Sequence, residues 1–334
     1  MIRPPWTPEI EVAPDLAADL IGTQFPALAD RPVAAMATGW DNTVYLVGGQ
    51  WVFRFPRRQV AVGATGREIA ALPKLAAVLP LPVPVPEFAG RSTDRYPWPF
   101  WGARLLSGVE LADSGLTDDQ RGPAGRAVGQ FLRALHDPAL IDWLGVPLPA
   151  DPTRRNDVVW RASWAREIIG RLAAGHIWQP DSDVLDLLGR AERITAPDSP
   201  VRTDGPASAA SAGGLGGVVS PGGAGPGAVL CHGDLNVRHL LVDEAGRAAG
   251  VIDWGDLCLA DPAIDLSIAY AGFAGQPRAE LFAAYGGPPE PDRELRARVL
   301  AVFLSAALAE YAFTEHRSRL LAESLSGLRR AVAG

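Results

Sequence analysis

The chain changes its apolar period once, and that change limits the folds open to it. Before residue 107 the apolar runs are short, rich in β-branched and aromatic residues and broken by turn residues; after Thr117 they recur at helical spacing. Residues 33–38, 43–47 and 51–55 read as strands. Gly39-Trp40-Asp41-Asn42 separates the first two, and Gly48-Gly49 supplies a hairpin turn between the second and third. A helix is expected ahead of them over residues 13–28, on the spacing of Leu16, Leu20, Ile21 and Phe25, and another behind them over 66–78. Pro80, Pro82, Pro84 and Pro86 then force an extended connection, because proline removes a backbone donor and fixes φ. Two further runs, around Phe88 and over residues 100–106, complete a five-stranded sheet. Helical periodicity follows at 122–136, 158–174, 183–194, 278–285 and 293–319. The pattern predicts an α+β chain: residues 1–106 form an antiparallel sheet with helices, and residues 107–334 are mainly helical.

One β-rich island, residues 228–256, interrupts the helical part. Two short strands flank a turn at residues 243–247; a polar loop, His232-Gly233-Asp234-Leu235-Asn236, enters the hairpin, and Ile252-Asp253-Trp254-Gly255 leaves it. This arrangement presents Asp234, His239 and Asp253 at one edge. Phosphoryl transfer asks for such a set, since it needs a carboxylate to orient an attacking hydroxyl and hard oxygen ligands for a metal ion that gathers phosphate charge. Asp234 suits the first task and Asp253 the second.

Bulk properties exclude other classes. The net charge of −7 argues against a nucleic-acid surface, and Lys74 is the only lysine among 31 basic residues. Two cysteines, Cys231 and Cys258, make neither a disulfide framework nor a zinc cluster. The first residues lack a signal pattern and no apolar run is expected to span a membrane, so the cytoplasm is the default compartment. Residues 196–227, rich in Gly, Ala, Ser and Pro, are expected to be a mobile loop, either a substrate lid or an insertion without function.

His232-Gly233-Asp234 followed by Ile252-Asp253-Trp254-Gly255 resembles the catalytic loop and metal-binding segment of the aminoglycoside phosphotransferase family, relatives of the protein kinases. Residues 260–266, from Ala260 to Leu266, continue the match, and there Asp265 occupies the position that supports the catalytic loop. The helix ending Phe131-Leu132-Arg133-Ala134-Leu135-His136 matches upstream, as do the strand around Arg54 and its helix partner Glu68. The resemblance implies a bilobal protein-kinase-like fold, Mg²⁺, and ATP or GTP as phosphoryl donor. Two positions depart from the common pattern: His239 stands where an Asn is usual, and Arg54 where a Lys is usual. Both departures resemble the macrolide and 2″-aminoglycoside branch, which tends to accept GTP.

The candidate residues follow. Asp234 is the catalytic base. Arg54, Glu68 and His239 would contact the nucleotide, as would Arg104 and Leu106 at the hinge after the fifth strand. Asp253 and His239 would hold metal, although His239 could instead only hydrogen-bond. Glu68 has a lesser alternative, that of a helix-surface carboxylate near the helix start. For the acceptor, Asp256 is either a contact or a solvated loop residue, and Trp160 and Trp164, one helical turn apart, are either a pocket wall or a core stripe. The expected activity is O-phosphorylation of a small hydroxylated antibiotic, a macrolide, aminoglycoside or nucleoside, conferring resistance. A metabolic kinase acting on choline, homoserine or a sugar is the alternative, and a catalytically inactive nucleotide-binding regulator a further one.

Overall fold

The computed structural model describes residues 7–39, 41–193 and 227–334. Trp40, Ile194 and residues 196–226 of the expected loop lie outside them.

The first helix, α1 (Pro14–Gln24), packs Leu20 and Ile21 under an antiparallel sheet of β1 (Val33–Thr38), β2 (Asn42–Val47), β3 (Trp51–Pro56), β4 (Phe88–Gly90) and β5 (Phe100–Arg104), in the order β1-β2-β3-β5-β4. The β2–β3 register runs from Asn42 opposite Pro56 to Val47 opposite Trp51. Gly48 and Gly49 close this hairpin at φ +58° and +69°, a left-handed pair that residues with a Cβ enter at a cost. Side chains alternate along β2, so Tyr45 and Val47 enter an aromatic core with Phe53, Phe55, Tyr96 and Phe100. The ring centroids of Phe55 and Phe100 lie 4.5 Å apart, stacked.

The helix on this sheet, α2 (Gln59–Leu75), corrects the expected 66–78 span. The helix starts seven residues earlier than expected and runs through Gly63 and Gly66. They lie on the exposed face, while Ala61, Thr65, Glu68, Leu72 and Leu75 form the buried stripe.

Beyond β5 the chain enters a second sheet: β6 (Val109–Glu110) pairs with β8 (Leu240–Val242), which pairs with β9 (Ala248–Val251). Alongside, β7 (Val229–Cys231) pairs with β10 (Cys258–Ala260) and brings the two cysteines opposite each other as free, buried thiols. The helices are α3 (Gly122–Leu135), α4 (Ala139–Leu144), α5 (Val158–Ala174), α6 (Ser182–Ala191), α7 (Ala263–Gly272), α8 (Gly275–Tyr285), α9 (Pro291–Thr314) and α10 (Ser318–Val332). The helix expected over 293–319 ends at Thr314, and α10, which lies mostly beyond that span, is not among the expected helices. His316 at φ +55° terminates α9 and reverses the chain into α10. The expectation of no membrane-length apolar run is also corrected, because α9 is 24 residues long and apolar enough by composition. Its packing against α5, α7 and α10 in the helical core accounts for that composition. Together these elements form the α+β, bilobal kinase-like architecture, with the five-stranded sheet on one side and the helical body on the other.

Candidate active site

The polar loop between β7 and β8 is held from behind by one buried carboxylate. Asp265, on the first turn of α7, accepts backbone N–H groups of His232 at 2.7 Å and Gly233 at 3.0 Å. It also meets His136 Nε2 at 3.3 Å, whose Nδ1 lies 3.0 Å from the Tyr285 hydroxyl. Burial pushes the Asp265 carboxyl up, but the hydrogen bond and charge of His136 and the backbone donors more than reverse it, so it is held below its ordinary value. Gly233 sits at φ +88°, and a Cβ there would fall 2.1 Å from the Asp256 carbonyl oxygen, so only glycine lets the loop pass this segment.

His232 is a structural clasp. Its Nδ1 accepts the Asp234 N–H at 3.2 Å, which leaves the proton on Nε2 to donate to the Ile252 carbonyl at 3.0 Å. Burial lowers its pKa, in keeping with a neutral ring. The clasp ties the loop before β8 to the segment after β9, and Trp254, buried at 1% exposure, anchors that segment by donating to the Val251 carbonyl.

Asp253 follows directly, with φ +64°, a left-handed conformation that is rare and costly for a residue bearing a Cβ. Its Oδ1 accepts Arg54 Nη2 at 2.8 Å across the cleft from β3. Arg54 Nη1 lies 3.5 Å from Glu68 on α2, and Glu68 accepts the Trp101 indole N–H at 3.2 Å. Burial acts to raise the Asp253 carboxyl, yet Arg54 and then His239 outweigh it and hold it well below the usual carboxylate range. Glu68, 1% exposed, moves the other way because burial exceeds the pull of Arg54. Glu68 is thus a buried partner of Arg54 and not a helix-surface carboxylate.

His239 stands between the carboxylates of Asp234 and Asp253. Its Nδ1 is 2.7 Å from the Asp234 backbone carbonyl and 3.6 Å from Asp234 Oδ2, so Nδ1 carries a proton. Its Nε2 faces Asp253 Oδ2 at 3.4 Å. Two lone pairs opposed at that distance call for a proton on Nε2 or a cation between them. The donor set, a carboxylate oxygen and an imidazole nitrogen at one edge, fits a divalent cation.

Asp234 is raised above its ordinary value by burial, partly offset by Arg155 and His239. Its Oδ1 accepts Arg155 Nη2 at 2.6 Å, while Arg155 Nη1 donates to Asp256 Oδ2 at 2.7 Å. One guanidinium therefore bridges Asp234 to Asp256. Sequence reading missed Arg155, which follows Arg154 in a loop before α5 and has no motif spacing to single it out. Trp160 and Trp164 on α5 are half-buried with centroids 5.0 Å apart, Trp164 lying 5.4 Å from Phe303 of α9.

The hinge candidates lie apart from this cluster. Arg104 is exposed, stacks over Trp51 at 4.4 Å and faces Glu87, while Leu106 rests against Gly250 of β9. The crossing from the five-stranded sheet to the second sheet falls between Arg104 and Val109.

A family model described as the phosphotransferase enzyme family matches residues 33–298, from β1 to the first half of α9. The chain belongs to the phosphotransferase enzyme family. Solved structures with the same fold include the GDP and kanamycin complex of APH(2″)-IIIa, at 21% identity and TM-score 0.61, covering 94% of this chain and 97% of that one. Macrolide 2′-phosphotransferase MphH from Brachybacterium faecium has 22% identity and TM-score 0.51, with coverages of 92% and 97%. The streptomycin–ATP complex of APH(2″)-IIa has 15% identity and TM-score 0.51, with coverages of 97% and 100%. An uncharacterized protein of Bacillus subtilis, YcbJ, is 39% identical over 56 residues, 17% of this chain and 18% of that protein. Among phosphotransferase-family features, the loop bearing Asp234 and the segment bearing Asp253 both fall inside the matched span.

Proposed function

We propose that the chain transfers the γ-phosphoryl group of ATP or GTP to a hydroxyl of a small antibiotic-type acceptor, with Asp234 as the base. The observation that carries the reading is His239, which touches both Asp234 and Asp253 and so fixes the base and the metal-side carboxylate at opposite ends of one imidazole. The acceptor hydroxyl would hydrogen-bond to Asp234; its oxygen attacks the γ-phosphorus, the bond to the bridging oxygen breaks, the proton passes to Asp234 and nucleoside diphosphate leaves. Burial that raises the Asp234 carboxyl brings it nearer to working pH, which favours proton acceptance. A divalent cation would be held by Asp253 and His239 and would neutralise phosphate charge there. Arg54, paired with Glu68 and Asp253, would contact the phosphates. Arg104, the last residue of β5, and Leu106 just beyond it lie at the crossing where the nucleotide base would dock.

The test is transfer of labelled γ-phosphate by the purified chain, with Mg²⁺, to a panel of macrolides, aminoglycosides and nucleosides, alongside susceptibility of a host expressing it. A product bearing the label, and raised resistance to the same compound, are expected. Nucleotide binding with neither hydrolysis nor transfer would return the chain to the class of inactive regulators.

A further inference from the structure

Among the described residues, the carboxylates on the face beside Asp234 already have partners. The loop of residues 151–157 and the start of α5 line that face. Asp151 spends both carboxylate oxygens on the backbone N–H groups of Arg155 and Asn156, at 2.8 and 2.7 Å. Asp157 pairs with Arg154 at 2.7 Å. Asp234 and Asp256 share Arg155, which is itself only 9% exposed and is held further by Thr153 Oγ1 at 2.9 Å. Three aspartates thus pair with Arg154 and Arg155, while a third arginine donates to the backbone carbonyls of Thr153 and Arg154. That third one, Arg161, is buried with its guanidinium 4.5 Å from the Trp160 ring centroid, 5.3 Å from Trp164 and 4.5 Å from Phe303. The Trp160, Trp164 and Phe303 rings of this face therefore already hold a cation. Burial, and next the neighbouring Arg155, bring the Arg161 pKa down to about 9, which still leaves it charged at neutral pH.

An acceptor with several ammonium groups needs carboxylates free to replace the water it loses. Among the described residues, each carboxylate of this face is already taken by backbone N–H groups or by Arg154 or Arg155. We infer that the acceptor is neutral or carries a single positive charge, and that Arg155, by capping Asp234 and Asp256 together, is the specificity-determining residue that excludes polyamines. The inference rests on the reading above that the acceptor docks at Asp234. An acceptor hydroxyl reaches the base by sharing or displacing one Arg155 N–H, whereas a polyamine would have to displace the whole guanidinium.

Kanamycin, a polyamine, is the probe, and calorimetric binding to the full-length protein is the measurement. The wild type should bind it more weakly than about 1 mM at low salt. Arg155→Gln uncovers both carboxylates and should tighten kanamycin binding by about tenfold or more, while Arg155→Lys, which keeps the charge, should stay weak. Micromolar binding by the wild type, or a folded Arg155→Gln protein that binds no tighter, overturns the inference. Should Arg155→Gln fail to fold, as circular dichroism would reveal, the wild-type affinity decides alone. Mg²⁺-dependent hydrolysis of ATP or GTP without acceptor is followed in parallel. Its absence sinks the phosphotransfer reading and leaves the kanamycin result to be judged separately.

Discussion

Two arginines grip the carboxylates of this site, and they are built differently. Arg54 rises from the middle of β3, a strand paired on both sides, and spans the cleft between Glu68 on its own side and Asp253 on the other. Arg155 hangs from a loop whose flanking Asp151 and Arg154 have φ of +33° and +55°, and both its carboxylate partners come from the helical half. The buffering of the partners differs too. The Glu68 side chain is 2% exposed and has nowhere to go if its cation is lost, whereas those of Asp234 and Asp256 are 26% and 33% exposed and can rehydrate. A clamp on a central strand behaves as a fixed fitting; a clamp on a strained loop can yield to an incoming ligand.

The largest expected effect lies on the yielding side. Asp234→Asn removes the base yet keeps the shape, so transfer should fall by ~10²–10⁴ or more while nucleotide affinity changes little. Single-turnover kinetics and nucleotide titration check this together; near-normal kcat would take Asp234 out of its role and leave Arg155 clamping a carboxylate without chemistry.

The fixed side should dominate stability. Arg54→Met strands Glu68 as a buried charge and should cost about 3–5 kcal/mol in urea unfolding. Arg155→Met should cost well under that, since its partners reach water. Equal losses would erase the distinction between the two clamps.

Behind both lies Asp265. Asp265→Asn can satisfy only one of the two loop N–H groups as acceptor, so a loss of about 1–3 kcal/mol is expected with a lowered kcat. Unchanged kcat would mean that the loop bearing Asp234 holds its place without this support.

The smallest effect concerns the donor. GTP should support turnover at least as well as ATP, and a kcat/KM for ATP more than about tenfold higher, roughly 1.4 kcal/mol, would contradict it. Steady-state rates at saturating Mg²⁺ decide the matter, with no change expected at either clamp.

Much of this was legible in the linear chain where the signal is local. Strand runs bounded by Gly48-Gly49, and the two aspartates flanking one hairpin, depend on neighbours in sequence, so period and turn chemistry reveal them. Helix ends were less legible. The helix expected from Gly66 begins at Gln59, because the exposed Gly63 and Gly66 leave the buried stripe of Ala61, Thr65, Glu68 and Leu72 intact. The break at His316 has no glycine or proline to announce it.

The residue types at positions 232–239 and 252–256 by themselves determined which chemistry is possible, because a base, a metal-side carboxylate and a tight glycine turn are properties of side chains and short backbone segments. The tertiary structure alone decided how those groups are charged and restrained. Arg54 lies 199 residues from Asp253 and Arg155 lies 79 from Asp234. The first pair is set by how the sheet half packs on the helical half, the second by how the helical half folds on itself, and a one-dimensional pattern carries neither distance.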